Sequence, residues 1–117
     1  MSAGSFEIRE EDDGATQVLS INGELDLGTA PVLARRVDER LVAKPTTLTL
    51  DLSALTFMDS SGLRLLIELN ERAERESWGL TLIPSRHESA NAVLRMTGAD
   101  AALPFTTPVP RVTQRDD

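Results

Sequence analysis

Leucine occupies every second position from Leu48 to Leu52, and Thr47, Thr49 and Asp51 fill the places before and between. Side chains of a β-strand alternate between its two faces, so this run has one apolar and one polar face. Such a strand suits a sheet that is covered by helices mainly on one side. Three more strands are expected. Phe6 and Ile8 alternate with Glu7 and Arg9, Asp12-Asp13-Gly14 makes a turn, and Leu19 and Ile21 follow among Val18, Ser20 and Asn22, which together predicts a β-hairpin. Gly79 to Ile83 is the fourth strand.

The period then changes from two to that of a helix in three places. From about Thr29 to Ala43, Pro31 stands near the start and Leu33, Val37 and Leu41 form one stripe. From Ser60 to about Glu76, a polar arc holds Arg64, Glu68, Glu71, Arg72 and Arg75, while Leu63, Leu65, Leu66, Ile67, Leu69 and Ala73 fill the rest. An apolar arc that wide predicts a deeply packed helix. The third helix is announced by a capping box, Ser85-x-x-Glu88, and closed by Gly98. The order β-β-α-β-α-β-α predicts an α/β domain, a mixed sheet of four to five strands with parallel crossovers and helices mainly on one face. The domain is expected over residues 1–105. After Leu103 the chain becomes Pro-rich, with Pro104, Pro108 and Pro110, and reads as a short strand followed by a mobile end; residues 106–117 are expected to be a polar, Pro-containing tail.

At 117 residues the chain is large enough for one core. Aromatic residues are few and tyrosine is absent, so that core is aliphatic. A net charge of −7, with no run of Lys or Arg, argues against nucleic acid and against anionic membrane surfaces. With no cysteine there is no disulfide framework or thiolate chemistry. No stretch is long enough to span a bilayer, and Met1 to Ser5 lacks the charged and apolar regions of a signal peptide, so a cytoplasmic location is expected. The acidic surface and the lack of a heptad pattern make a monomer the expected state.

The informative segment joins the leucine strand to the deeply packed helix: Asp51-Leu52-Ser53, then Phe57-Met58-Asp59-Ser60-Ser61-Gly62-Leu63. Asp59 and Ser60 are both helix-capping residue types. The free N–H groups and dipole of a helix start also favour an anion, so a phosphate on Ser60 would be accommodated there. It would add about −1.5 to −2 charges beside Asp59. Residue chemistry alone leaves both readings open, a plain cap and turn or a site of modification, and the cap is the commoner use.

That segment closely resembles the phosphorylation loop of bacterial anti-sigma factor antagonists, members of the STAS domain family. Asn22-Gly23-Glu24-Leu25-Asp26 resembles a second landmark of the family, and the two stand in its order and spacing. The resemblance implies a phospho-switch that is not an enzyme and needs no cofactor of its own. An anti-sigma factor serine kinase would bind the unphosphorylated form, release its sigma factor, and phosphorylate Ser60; a phosphoserine phosphatase would reset the switch. Asp59, Ser61, Gly62, Glu24 and Asp26 would belong to the partner surface. Family members usually finish with an amphipathic helix, and Thr106 to Asp117 does not read as one, so that helix is absent or the sequence stops before it. The alternative within the family is a scaffold or accessory subunit of a signalling or transporter complex without a switch at Ser60.

Other features yield weaker readings. A small hydrolase would need Ser60, the single histidine His87 and an Asp, but no Gly-x-Ser-x-Gly elbow is present. Gly23 to Thr29 echoes a phosphate loop without its lysine. Glu10-Glu11-Asp12-Asp13 reads as a solvated hairpin tip without calcium-loop spacing. Trp78 is expected to close the second long helix, and Leu65 to pack at the edge of its apolar arc or, alternatively, to meet a partner.

Overall fold

The computed structural model describes residues 6–12 and 14–113; Asp13 and the ends of the chain lie outside the described residues. The strands are β1 (Phe6–Asp12), β2 (Thr16–Leu25), β3 (Thr47–Asp51), β4 (Leu55–Met58) and β5 (Gly79–Ile83). The helices are α1 (Ala30–Leu41), α2 (Ser60–Glu76), α3 (Glu88–Thr97) and the single turn α4 (Ala99–Ala102). β1 and β2 form the expected antiparallel hairpin, with Ile8 opposite Ile21. β3 runs parallel to β2 and to β5, giving the order β1-β2-β3-β5.

β4 was not among the strands expected. It pairs parallel with the last part of β2, beyond β3, where Gly23 faces Leu55 and Leu25 faces Met58. Leu55 and Met58 are three residues apart, and a regular strand would send them to opposite faces. A register shift between Gly23 and Glu24 leaves Thr56 as an extra residue, and both Leu55 and Met58 are buried. The bulge erases the alternation by which a strand is recognised.

One face of the sheet is covered, as the leucine strand requires. Leu19, Ile21, Leu25, Leu48, Leu50, Leu80 and Leu82 lie under Leu33 and Val37 of α1, Leu63, Leu66, Leu69 and Ala73 of α2, and Ala90 and Leu94 of α3. On the other face Val18, Ser20, Thr47, Thr49, Asp51 and Thr81 are half-buried. Ile67, placed by periodicity in the packed arc of α2, is 39 % exposed at its edge; Leu65 is buried. α2 closes at Ser77, whose left-handed φ of 64° lets the N–H groups of Ser77 and Trp78 both reach the Ala73 carbonyl.

Two expectations change at the far end. The capping box does not form: His87 is the N-cap of α3 without a side-chain bond, and Glu88 is already inside the helix. Ser85 Oγ instead donates to the Leu55 carbonyl at 2.6 Å and accepts from His87 N–H at 2.9 Å, tying this turn to β4. Past Leu103, Phe105 bridges to Leu82 as a one-residue strand. The following segment, expected to be loose, is held through residue 112. Val109 is buried, Asn91 Nδ2 donates to the Pro110 carbonyl at 3.1 Å, and Val112 N–H donates to Glu88 Oε1 at 2.9 Å. No helix follows Phe105 among the described residues.

Candidate functional site

The last pair of β2 and β4, Leu25 with Met58, delivers the chain to the start of α2. Asp59 N–H donates to the Leu25 carbonyl at 3.2 Å, which fixes the turn to the sheet. Asp59 is extended (φ −108°, ψ −169°), and its Oδ1 accepts from Ser61 N–H at 2.8 Å and from Gly62 N–H at 3.2 Å. Capping therefore falls to Asp59. Ser60, the first residue of the helix, is exposed, and among the described residues its hydroxyl has no hydrogen-bond partner.

Gly62 is buried within the first turn of α2. A Cβ there would lie 2.8 Å from Leu25 Cγ, 2.8 Å from Met58 Cγ and 2.9 Å from the Leu25 carbonyl oxygen. Its missing side chain is what lets α2 approach the sheet at the point where Ser60 emerges.

The turn after β2 supplies the opposite wall. Asp26 Oδ1 accepts from Gly28 N–H at 3.0 Å and Thr29 N–H at 3.1 Å, and Thr29 Oγ1 donates to the Glu24 carbonyl at 2.7 Å. These bonds fold residues 24–29 into a compact turn that starts α1 and presents Leu27 outward, 76 % exposed. Leu27, Ala30 and Pro31 then share a shallow depression of about 350 Å³ with Ser60, Ser61 and Arg64.

The structure thus brings Ser60 and Ser61 together with the turn that Asp26 organises. The Asp26 carboxylate is occupied by that turn, the Glu24 side chain is exposed on β2, and Gly62 acts by permitting close packing. Leu27, Pro31 and Arg64 were missed in the sequence; an isolated leucine inside an otherwise polar turn was the available signal. Among the described residues His87 makes no hydrogen bond with Ser60 and does not line its depression; Ser85 anchors the His87 turn at Leu55, the opposite end of β4 from Ser60.

A family model described as "Mlab, STAS domain" matches residues 8–105. The chain belongs to the STAS domain family. Its residues also show 40 % identity over 68 positions with the anti-sigma-F factor antagonist RsfB of Mycobacterium tuberculosis, covering 58 % of this chain and 56 % of that protein. The match thus spans little more than half the length of that curated relative. The crystal structure of an anti-sigma factor antagonist from Mycobacterium paratuberculosis superposes with a TM-score of 0.75 at 31 % identity, covering 86 % of this chain and 85 % of that chain. The phosphorylated form of SpoIIAA from Bacillus shares the fold, with a TM-score of 0.62 at 23 % identity over 88 % of this chain and 92 % of that one. No helix of the described residues is long and apolar enough to cross a membrane.

Proposed function

We propose that this STAS domain is an anti-sigma factor antagonist whose unphosphorylated form binds an anti-sigma factor serine kinase, frees a sigma factor, and is switched off by phosphorylation of Ser60. The reading draws on the relatives named as antagonists. The observation that carries it is the division of labour at the start of α2: Asp59 makes the capping bonds and the Ser60 hydroxyl is exposed and unbonded. A serine needed as a cap would be held by the helix amides; this one is free to react.

In the transfer, Ser60 Oγ forms a bond to the γ-phosphorus of ATP on the kinase. The bond from that phosphorus to the bridging oxygen breaks, ADP leaves, and the hydroxyl proton passes to a base of the kinase. The STAS domain is the acceptor and not the catalyst. The product adds about −1.5 to −2 charges next to Asp59, on a surface that otherwise offers Leu27 and Pro31. An interface that fits the apolar depression and the neutral hydroxyl is opposed by that charge without refolding of the domain. A phosphoserine phosphatase resets the switch.

Wild-type, Ser60→Ala and Ser60→Asp proteins used as baits test the reading. Wild type and Ser60→Ala should retain a kinase-fold partner that Ser60→Asp loses, and that partner with ATP should label wild type only. Equal retention by all three, without labelling, would refute the switch and favour a constitutive scaffold.

A further inference from the structure

We propose that Arg64 holds the phosphate of phosphorylated Ser60, pairing with it across the depression that the two residues share. The inference rests on the proposed modification of Ser60 and assigns the group that receives it.

Three observations converge on Arg64. Residues four apart on a helix are neighbours on one face, so Arg64 stands one turn beyond Ser60 on the same side, and both line the depression beneath Leu27 and Pro31. Two of the amides that a helix start would offer an anion are in use, because Asp59 Oδ1 already accepts from Ser61 and Gly62. A phosphate on Ser60 therefore finds its strongest available donor in a side chain. Arg64 is also uncommitted: Arg36, Arg40, Arg72 and Arg95 pair with carboxylates, whereas Arg64 is exposed, makes no ion pair among the described residues, and is the arginine that lines the depression.

The guanidinium fork matches two phosphate oxygens, which a single ammonium does not. The competing charges include Asp59, beside Ser60 and bonded to the amides, Asp26, bonded to the amides of the opposite turn, and Glu68, one turn beyond Arg64 and exposed. None of them pairs with Arg64 in the unmodified protein. Once paired, the phosphate lies over the depression and covers the surface around Leu27 and Pro31. The modification then closes the apolar contact as well as adding charge.

The test uses full-length chain carrying genetically encoded phosphoserine at position 60, so it does not depend on any kinase. The phosphorus resonance is titrated in wild type, Arg64→Lys and Arg64→Ala. Pairing favours the dianion, so the second ionisation should fall about half a pH unit lower in wild type than in Arg64→Ala, with Arg64→Lys between. The difference should shrink at about 1 M salt, where the screening length is about 3 Å. The Arg64 Nε–H resonance should also move when the wild type carries the phosphate. Equal titration midpoints in all three proteins, or an unmoved Arg64 resonance, would overturn the assignment. A positive result with no kinase acting on Ser60 would leave the pairing intact and defeat the functional reading; labelling of Ser60 without the shift would do the reverse.

Discussion

Replacing Gly62 by alanine separates a structural demand from ordinary helix chemistry, because the two give opposite signs. In the first turns of an unconstrained helix, Gly→Ala stabilises by up to about 1 kcal/mol. Here the new methyl would meet Leu25 Cγ, Met58 Cγ and the Leu25 carbonyl oxygen, all closer than 3.0 Å. Overpacking of a filled core costs about 1–3 kcal/mol, and the upper part of that range applies because one of the three neighbours is main chain. The same carbonyl accepts the Asp59 N–H, so a shift of the helix also disturbs the cap. Taking about 3 kcal/mol for the clash and about 1 for the propensity gain leaves about 2 kcal/mol of net destabilisation. For a domain of this length that lowers Tm by about 8 °C. Urea unfolding followed by the single tryptophan, Trp78, gives the value directly, with a lower midpoint and an unchanged slope expected. A Gly62→Ala protein as stable as the wild type, or more stable, would refute the close-approach argument.

Two further outcomes are expected from contacts away from the site. Asn91→Ala removes the bonds from Asn91 Nδ2 to the Ser85 and Pro110 carbonyls and should cost about 1–3 kcal/mol, with hydrogen exchange rising first in residues 106–113. Glu76 is held below the ordinary carboxylate range, chiefly by the hydrogen bond from Trp78 Nε1, which with Arg72 and Arg75 outweighs desolvation. A carboxylate depressed in the folded state contributes stability above its unfolded pKa and loses it as pH falls through the folded one. Between about pH 5 and pH 3 the wild type should therefore lose more stability than Glu76→Gln, and the Trp78 indole N–H resonance should move over the same range only in the wild type.

The parts of the fold that could be read in advance were those written in local periodicity. The leucine strand, the hairpin and both ends of α2 obey one period each, and all three stand where periodicity puts them. β4 broke the rule because the bulge at Thr56 turns Leu55 and Met58 to one side, a consequence of what β2 presents and not of the segment itself. The docking of residues 106–112 on α3 rests on Asn91 and Glu88, polar side chains whose partners are remote in sequence. At the site, Asp59 and Ser60 were legible as adjacent capping types, but which one caps is decided by backbone geometry: only Asp59 is extended and aimed at the next amides. The grouping of Leu27, Pro31 and Arg64 around Ser60 needed the tertiary structure, since it joins the starts of two helices.

The joint between β3 and β4 has a consequence for how such a domain can change. β2 is one continuous rod whose first half pairs with β3 and whose last residues pair with β4, while Leu52, Ser53 and Ala54 cross between them outside both ladders. Ser60 is referenced to the tip of the rod through Leu25, and the β3–β5 end is referenced to its base. The crossing is itself pinned: Leu52 N–H donates to the Ile83 carbonyl and the Ser53 carbonyl accepts from Arg86 N–H, so the tip is tied to the β5 end as well as to the rod. A change in the length or shape of the lower sheet therefore leaves the tip unchanged only where it spares both the rod and these crossing bonds.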